Sequence, residues 1–312
     1  MKGQYGTERI LPKCRAKISI PDIQKTYDKC SSKSIVALQS KEHTKPIELS
    51  VIIPLFRAKF IGWVPFEALV RQKGIEFGWE LVVMEEDFDN PFSLHNITQY
   101  SQKLKNVGCV RIVYIAMSNW IPLSAKWFYL IHNISASTKV IMCNSADNYF
   151  SPHRMRHQFE TLKDNHYNWY KIMGNVTYDI ASRKHAKRIL SDSNRKDTSG
   201  KAMHISLARE LPLANVKRGV DGWTHNTLSQ TRHGFRPYTD YSDIWKETVN
   251  ITGLNNLSLK QGKRVVACRP PLSFCCHSMK NHMPEEVVAK LVLASQHLEA
   301  HQKILSNSPI RL

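Results

Sequence analysis

Between residues 48 and 145, short apolar runs alternate with segments of helical period. The apolar runs are ELSVIIPLF (48–56), ELVVMEE (80–86), CVRIVYI (109–115) and KVIMCNS (139–145). The segments of helical period are residues 64–72, 93–105 and 124–133. Strands that alternate with helices form right-handed βαβ units, and such units build a mainly parallel sheet. The pattern therefore predicts an α/β fold with helices flanking the sheet.

Acidic residues follow two of these predicted strands. Ligands of open α/β sheets bind outside the carboxyl ends of the strands, so we expect functional residues within Pro54–Arg57, Glu85–Asp89 and Asn144–Asn148. Carboxylates gathered there repel one another unless a cation or hydrogen-bond donors offset their charge. A divalent cation such as Mg²⁺ or Mn²⁺, bridging carboxylates to phosphates, meets that need. Alternatively, these acids face water or cap the next helix. The acids themselves are Glu85, Glu86, Asp87, Asp89 and Asp147.

The charge of the chain indicates an anionic partner. Its 312 residues carry 44 Lys and Arg against 26 Asp and Glu, a net charge of +18, and 42% of them are hydrophobic. That hydrophobic content excludes a mainly disordered chain. The surplus favours nucleic acid, nucleotide phosphates or an anionic membrane surface. No helix-turn-helix, RRM or zinc-ligand signature is present, so a nucleic-acid-binding protein remains only an alternative.

Targeting signals and domain boundaries are read from composition. No apolar run approaches the roughly 20 residues of a membrane-spanning helix, and the first residues have no apolar core of a signal peptide. We expect a cytoplasmic protein, with peripheral membrane contact at most. Residues 1–47 are basic and poorly periodic, which predicts an irregular extension before a catalytic domain at 48–240. Residues 241–312 form a C-terminal extension with a helix near 284–305, packing through its Val and Leu face.

An ordered series of segments resembles glycosyltransferase family 2, whose fold is called GT-A. The first strand ends in Pro54, the next segment ends near Gln72, and the second strand closes with Glu85-Glu86. The remaining matching segments are SAKWFYLIHN, KVIMCNSADNYFSPHRMRHQFETL, MHISLAREL and VKRGVDGWTHNTL. The resemblance covers about residues 48–230, and the order of the segments makes it more specific than any single motif.

The resemblance implies transfer of a sugar from a nucleoside diphosphate sugar, most often UDP-linked, to a hydroxyl on a glycan, protein or lipid. It implies a donor half at 48–150 and an acceptor half at 151–240, with no specific nucleic acid as partner. Asp221 would act as general base in an inverting transfer, and Asp147 with His277 would hold Mn²⁺ or Mg²⁺. The residues implied for nucleotide-sugar binding are Pro54, Phe56, Arg57, Glu85, Glu86, Lys126, Ser145, Ala146 and Asp147.

The chain departs from the family pattern at the metal motif. Ser145 stands where the first carboxylate of Asp-x-Asp is usual, which leaves Asp147 to make the metal contact nearly alone. A catalytically weak GT-A relative that binds nucleotide sugars is therefore one alternative. A nucleotidyltransferase is another, although that class uses two metal-binding carboxylates. Asp221, beside Gly219 and Gly222, is also what a helix N-cap looks like.

Overall fold

The computed structural model describes residues 33–39, 45–55, 58–59, 61–86, 92–117, 123–164, 166–171, 174–179, 184–189, 201–210, 234–235, 248–252 and 283–307. The strands are β1 (Lys33–Gln39), β2 (Ile47–Leu55), β3 (Gly78–Glu86), β4 (Cys109–Met117), β5 (Val140–Cys143), β6 (Asn148–Phe150), β7 (Trp169–Lys171), β8 (Gly174–Asp179), β9 (Lys184–Ile189), β10 (Lys201–His204), β11 (Gly234–Phe235) and β12 (Thr248–Thr252). The helices are α1 (Val64–Leu69), α2 (Ser93–Gln99), α3 (Ser101–Asn106), α4 (Leu123–His132), α5 (Arg154–Leu162), α6 (Ile205–Glu210) and α7 (Glu285–Asn307).

An eight-stranded sheet in the order β1-β4-β3-β2-β5-β10-β7-β11 forms the centre of the fold. The pairs β2–β3, β3–β4, β2–β5 and β7–β11 are parallel. The pairs β1–β4, β5–β10 and β7–β10 are antiparallel. The predicted α/β architecture, a mainly parallel sheet with flanking helices, is confirmed.

A smaller sheet of four strands, in the order β6-β12-β8-β9, is built from later parts of the chain. Its first strand, β6, begins at Asn148, directly after the Ser145–Asp147 turn that follows β5. The turn therefore joins the central sheet to the second sheet.

Hydrophobic side chains cover the central sheet on both faces. Along β2, Val51, Ile53 and Leu55 belong to one buried cluster, whereas Ile52 belongs to the other. Neighbouring residues of a strand point to opposite faces, so both faces of β2 are buried. This burial explains why the strand reads as a continuous apolar run in the sequence.

The C-terminal helix α7 packs on the same face as α1 and α5. Its residues Val287, Leu291 and Ala294 are buried in the cluster that contains Phe66 of α1 and Phe159 of α5. Their spacing places them on one side of a helix. The predicted helical segment with a packing Val and Leu face is confirmed. Among the helices of the described residues, none is long and apolar enough to cross a membrane.

The structure differs from the sequence interpretation in three places. Residues 33–39, within the extension expected to be irregular, form β1 at the edge of the central sheet. The helix expected over 93–105 is divided at Tyr100 into α2 and α3. Residues 184–189, within the expected acceptor half, form β9, a strand that the sequence pattern did not predict and that pairs with β8.

Candidate functional site

The strand order reverses at β2. From β2 the chain adds β3 and then β4 on one side, and it returns to place β5 on the other side of β2. In open α/β sheets, ligands bind in the crevice outside the carboxyl ends of the strands at such a reversal. The crevice beyond β2 and β5 is therefore the candidate site.

Lys126 provides a buried cation at the carboxyl end of β2. It lies on α4 with 3% of its surface exposed, and its Nζ donates a hydrogen bond to the backbone oxygen of Leu55 at 3.4 Å. Leu55 is the last residue of β2, and Pro54 precedes it, buried, opposite Met84 of β3. A buried ammonium group is costly unless anions or hydrogen-bond acceptors surround it. Its placement at the reversal suits an anionic ligand.

The turn after β5 holds a fixed carboxylate. Oδ1 of Asp147 accepts hydrogen bonds from the Ser145 hydroxyl at 2.7 Å and from the Asn148 amide at 2.9 Å. The Asn148 amide also donates to the Ser145 hydroxyl. Ser145 thus orients Asp147 through a hydrogen bond. The Ala146 side chain is partly buried against the hydrophobic core.

Glu85, at the carboxyl end of β3, is held entirely within the chain. It has no exposed surface, and it accepts hydrogen bonds from the backbone N–H groups of Phe92 and Ser93 and from the Tyr114 hydroxyl. Ser93 begins α2 with a φ of 74°, a left-handed conformation that is uncommon for a residue with a side chain. Glu85 therefore stabilises a strained helix start, a contact that occupies both carboxylate oxygens.

Several residues predicted for the site fall outside the described part of the chain. Phe56, Arg57, Asp221 and His277 lie there, as do Asp87 and Asp89. Glu86 ends β3, and its side chain also lies outside the description. Of the predicted residues, the structure places Pro54 and Lys126 at the end of β2, and Ser145, Ala146 and Asp147 at the end of β5.

Two asparagines bound the expected range 144–148, but the sequence pattern gave neither of them a role. Asn144 has no exposed surface, and neither its Oδ1 nor its Nδ2 has a hydrogen-bond partner among the residues that the structure describes. Asn148 is 2% exposed, and its Oδ1 likewise has no partner in the described part of the chain. The signal that could have drawn attention to them is the repeated amide in NSADN, directly after a strand that is buried on both faces.

The oxygen atoms of the turn fit a hard divalent cation. Such ions take one or two protein oxygens and complete their shell with phosphate oxygens and water. The carboxylate of Asp147 and Oδ1 of Asn148 are oxygens of this kind. Within the described residues, no group of three or more His, Cys, Asp or Glu side chains gathers in a way that could hold a metal. The turn therefore fits a cation shared with a phosphate ligand better than one enclosed by protein.

No protein-family model and no curated protein matches the chain. Among solved structures, S. aureus TarS is similar over 66% of this chain and 35% of its own length, at 11% identity and a TM-score of 0.45. TarS 1-349 in complex with UDP-GlcNAc gives the same identity and TM-score over 66% of this chain and 56% of its own. A 4-diphosphocytidyl-2C-methyl-D-erythritol synthase from Anaerococcus prevotii is similar at 11% identity and a TM-score of 0.34, over 66% of this chain and 86% of its own. The chain thus spans about a third to a little over half of these two TarS structures.

Proposed function

We propose that the chain is a glycosyltransferase that moves a sugar from a nucleoside diphosphate sugar, UDP-linked, to a hydroxyl of a glycan, protein or lipid. One observation carries the proposal: a buried ammonium group and a fixed carboxylate lie at the carboxyl ends of two neighbouring parallel strands where the strand order reverses. The ordered motifs of the sequence, which resemble glycosyltransferase family 2, support the same conclusion.

Lys126 is proposed to bind the diphosphate. A positive charge there lowers the energy of the nucleoside diphosphate as it leaves, because its negative charge grows in the transition state. The low exposure of Lys126 strengthens the interaction by excluding water. Arg57 is proposed as a second cation, and Glu86 is proposed to accept hydrogen bonds from the ribose or the base. Both roles follow from the resemblance.

Asp147 and Asn148 are proposed to hold Mn²⁺ or Mg²⁺ together with phosphate oxygens, and His277 is proposed as a further ligand. When bound, such a cation neutralises charge on the leaving diphosphate. Ser145 and Asn148 both donate hydrogen bonds to Oδ1 of Asp147. These bonds restrain the carboxylate in the ion-free protein. The loss of one carboxylate at Ser145 predicts weaker cation binding than a two-carboxylate site would give.

Asp221 is proposed to take the proton from the attacking hydroxyl. The hydroxyl oxygen forms a bond to the anomeric carbon while the bond from that carbon to the diphosphate oxygen breaks, which inverts the anomeric centre. A general base of this kind contributes about 10²- to 10⁴-fold to the rate. The excess of positive charge is proposed to keep the protein near an anionic membrane or glycan surface that carries the acceptor.

A second candidate function is nucleotide-sugar binding without efficient transfer. It is favoured by Ser145, whose hydroxyl donates to Asp147 where a carboxylate would otherwise add a second charge. Both functions predict that the protein binds the nucleotide-sugar donor, but only the transferase would turn the donor over at an appreciable rate.

Calorimetry against a panel of nucleoside diphosphate sugars, with and without Mn²⁺, tests the proposal. We expect UDP sugars to bind and Mn²⁺ to raise their affinity, while RNA and DNA bind weakly and without sequence preference. Asp221→Asn should retain donor binding and lose transfer to acceptor. Absence of any nucleotide binding, together with nucleic-acid binding of steep salt dependence, refutes the proposal.

A further inference from the structure

Asn144 is a buried amide whose hydrogen-bonding groups are all unused. Its backbone N–H donates to the oxygen of Ile52 at 3.0 Å, which extends the pairing of β5 with β2 by one residue. Its side chain has no exposed surface, and within the described ranges neither Oδ1 nor Nδ2 has a hydrogen-bond partner. More than nine in ten buried polar groups in proteins are paired, so an amide with none of its bonds made requires an explanation.

A second buried side-chain amide in the same fold, that of Gln72, has hydrogen-bond partners for both its oxygen and its nitrogen. The side chain of Gln72, 4% exposed, donates to the backbone oxygens of Ala68 at 3.0 Å and Ser151 at 2.8 Å. Its Oε1 accepts from the N–H of Met155 at 3.0 Å. Gln72 thus joins three parts of the chain. In contrast, burial of the Asn144 side chain costs desolvation free energy, and no hydrogen bond in the described structure offsets that cost.

The position of Asn144 relates the unused groups to the candidate site. Along β5, Val140 and Met142 belong to one buried cluster and Ile141 and Cys143 to the other. Alternation therefore places the Asn144 side chain on the face of Met142, which is also the face of Leu55 in β2. The chain leaves the sheet immediately afterwards in the partly exposed turn that carries Asp147. Asn144 directly follows Cys143, the last residue of β5, and so lies at the carboxyl end of that strand.

The chemistry of an amide selects the kind of ligand that would satisfy it. A phosphate offers only acceptors, so it would use Nδ2 and leave Oδ1 unpaired. A metal cation would use Oδ1 and leave Nδ2 unpaired. A neutral group that both donates and accepts satisfies both ends of the amide. Sugar hydroxyls and the imide edge of uracil are such groups.

We propose that Asn144 is a specificity-determining residue that binds a neutral donor–acceptor group of the nucleotide sugar. The inference rests on the proposed function, because it assigns Asn144 to the same ligand. Since the amide has no exposed surface, the ligand reaches it only when the adjoining segments shift, and the Ser145–Asp147 turn is the described segment that leaves the sheet at that point. The unpaired amide then destabilises the empty protein and is satisfied in the complex.

Replacement of Asn144 by leucine tests the first half of this inference. Leucine has nearly the same shape and needs no hydrogen bonds, so Asn144→Leu should raise the Tm of the ligand-free protein by about 2 to 4 °C. Gln72→Leu is the matched control, and it should lower Tm because three bonds are lost. A lower Tm in Asn144→Leu, comparable with that of Gln72→Leu, overturns the inference, since it means that the amide is already satisfied inside the protein. Asn144→Ala provides a second variant if leucine does not pack.

Calorimetry with nucleotides tests the second half. Both Asn144 variants should bind UDP sugar about 10- to 100-fold more weakly than the wild type. Three comparisons identify the group that Asn144 binds: UDP with deoxy-UDP reports on the ribose hydroxyls, UDP with CDP on the base, and UDP with UDP sugars on the transferred sugar. The wild type should distinguish the two ligands in one of these comparisons by affinity, and the variants should lose that difference. Wild-type affinity in the variants, or weaker binding with every discrimination retained, overturns the inference and leaves the proposed function intact. Failure of the wild type to bind any nucleotide refutes the proposed function itself.

Discussion

Glu67 lies on α1 and connects that helix to the C-terminal helix α7 through side-chain contacts. Its carboxylate, 5% exposed, accepts hydrogen bonds from Lys290 of α7, from Arg71 and from the Tyr100 hydroxyl, the last at 3.0 Å. Arg71 also bonds to Glu286 of α7 at 3.0 Å. Glu67→Gln keeps the shape of the side chain and removes its charge. We expect this substitution to loosen α7.

The magnitude follows from how exposed the partners are. Loss of one member of a buried ion pair costs about 3 to 5 kcal/mol. Here the Lys290 side chain is 50% exposed and the Arg71 side chain 25%, so water compensates part of the loss. The glutamine oxygen also keeps one acceptor for Tyr100. We therefore expect a loss of about 2 kcal/mol in the free energy of unfolding, which lowers Tm by about 4 to 8 °C.

The pH dependence of this loss gives a second signature. Burial raises the pKa of Glu67, but the hydrogen bonds from Lys290 and Arg71 outweigh burial and hold the pKa below its usual value. A carboxylate with a lowered pKa contributes stability that is complete above the unfolded value, about 4.3, and is lost as pH falls through the folded value. The difference between wild type and Glu67→Gln should therefore be constant near neutral pH and shrink below about pH 4.

Urea denaturation at pH 7 and at several values below pH 5 measures both effects. Glu286→Gln is the matched control, because it removes a carboxylate that is 62% exposed from the same pair of helices. We expect it to leave the denaturation midpoint near the wild-type value. The reasoning is refuted if Glu67→Gln is no less stable than Glu286→Gln, or if its deficit persists unchanged down to pH 3.

Two further predictions concern buried charges. Glu80→Gln should lower the free energy of unfolding, measured by urea denaturation, by about 2 to 4 kcal/mol. Glu80 has no exposed surface, and its carboxylate accepts hydrogen bonds from the Ser135 N–H at 2.5 Å and from Arg111 at 2.9 Å. Glu48→Gln, at an exposed ion pair, is its control and should cost under about 1 kcal/mol; similar losses in both variants would contradict this argument. Lys126→Met should weaken UDP-sugar binding at least about tenfold in calorimetry while Tm changes little, because a charge-assisted contact to phosphate is removed. Affinity equal to the wild type would exclude Lys126 from the site.

Strands buried on both faces were predictable from the sequence. Residues 48–56 read as one apolar run because both faces of β2 are covered, and the structure gives Ile47–Leu55. The edge strand Lys33–Gln39 was missed because its short apolar run lies within a basic, poorly periodic extension and because its described partner, β4, comes much later in the chain. Division of the helix at Tyr100 was also missed. The Tyr100 ring packs at 5.4 Å from that of Phe66 and its hydroxyl bonds to Glu67, contacts that depend on α1.

The candidate site was predictable only in part, for the same reason. Asp147 was predicted because it follows a strand end, which is visible in the sequence, whereas Lys126 was implied only by the resemblance to glycosyltransferase family 2. The surroundings of Glu85 were not visible, because its donor Tyr114 is on the neighbouring strand β4. Asn144 fell within the expected range 144–148 but was given no role, because asparagine after a strand is ordinary in a turn. Its lack of partners appears only once the fold has buried it.

The carboxylates at the strand ends have different hydrogen-bond partners, and this difference indicates different roles for them. Glu85 is satisfied by two backbone N–H groups and a phenol, so it needs no cation and serves the start of α2. Asp147 is oriented by a hydroxyl and an amide in a partly exposed turn, where a cation and phosphates can reach it. The net charge of +18 attracts anions in general, and Lys126 is the cation that we propose for the diphosphate. Charge alone discriminates poorly among nucleotides, because every nucleotide carries phosphate. Discrimination requires a neutral group with directional bonds, and the buried amide of Asn144 beside the turn, which has no partner among the described residues, is the group that we propose for that role.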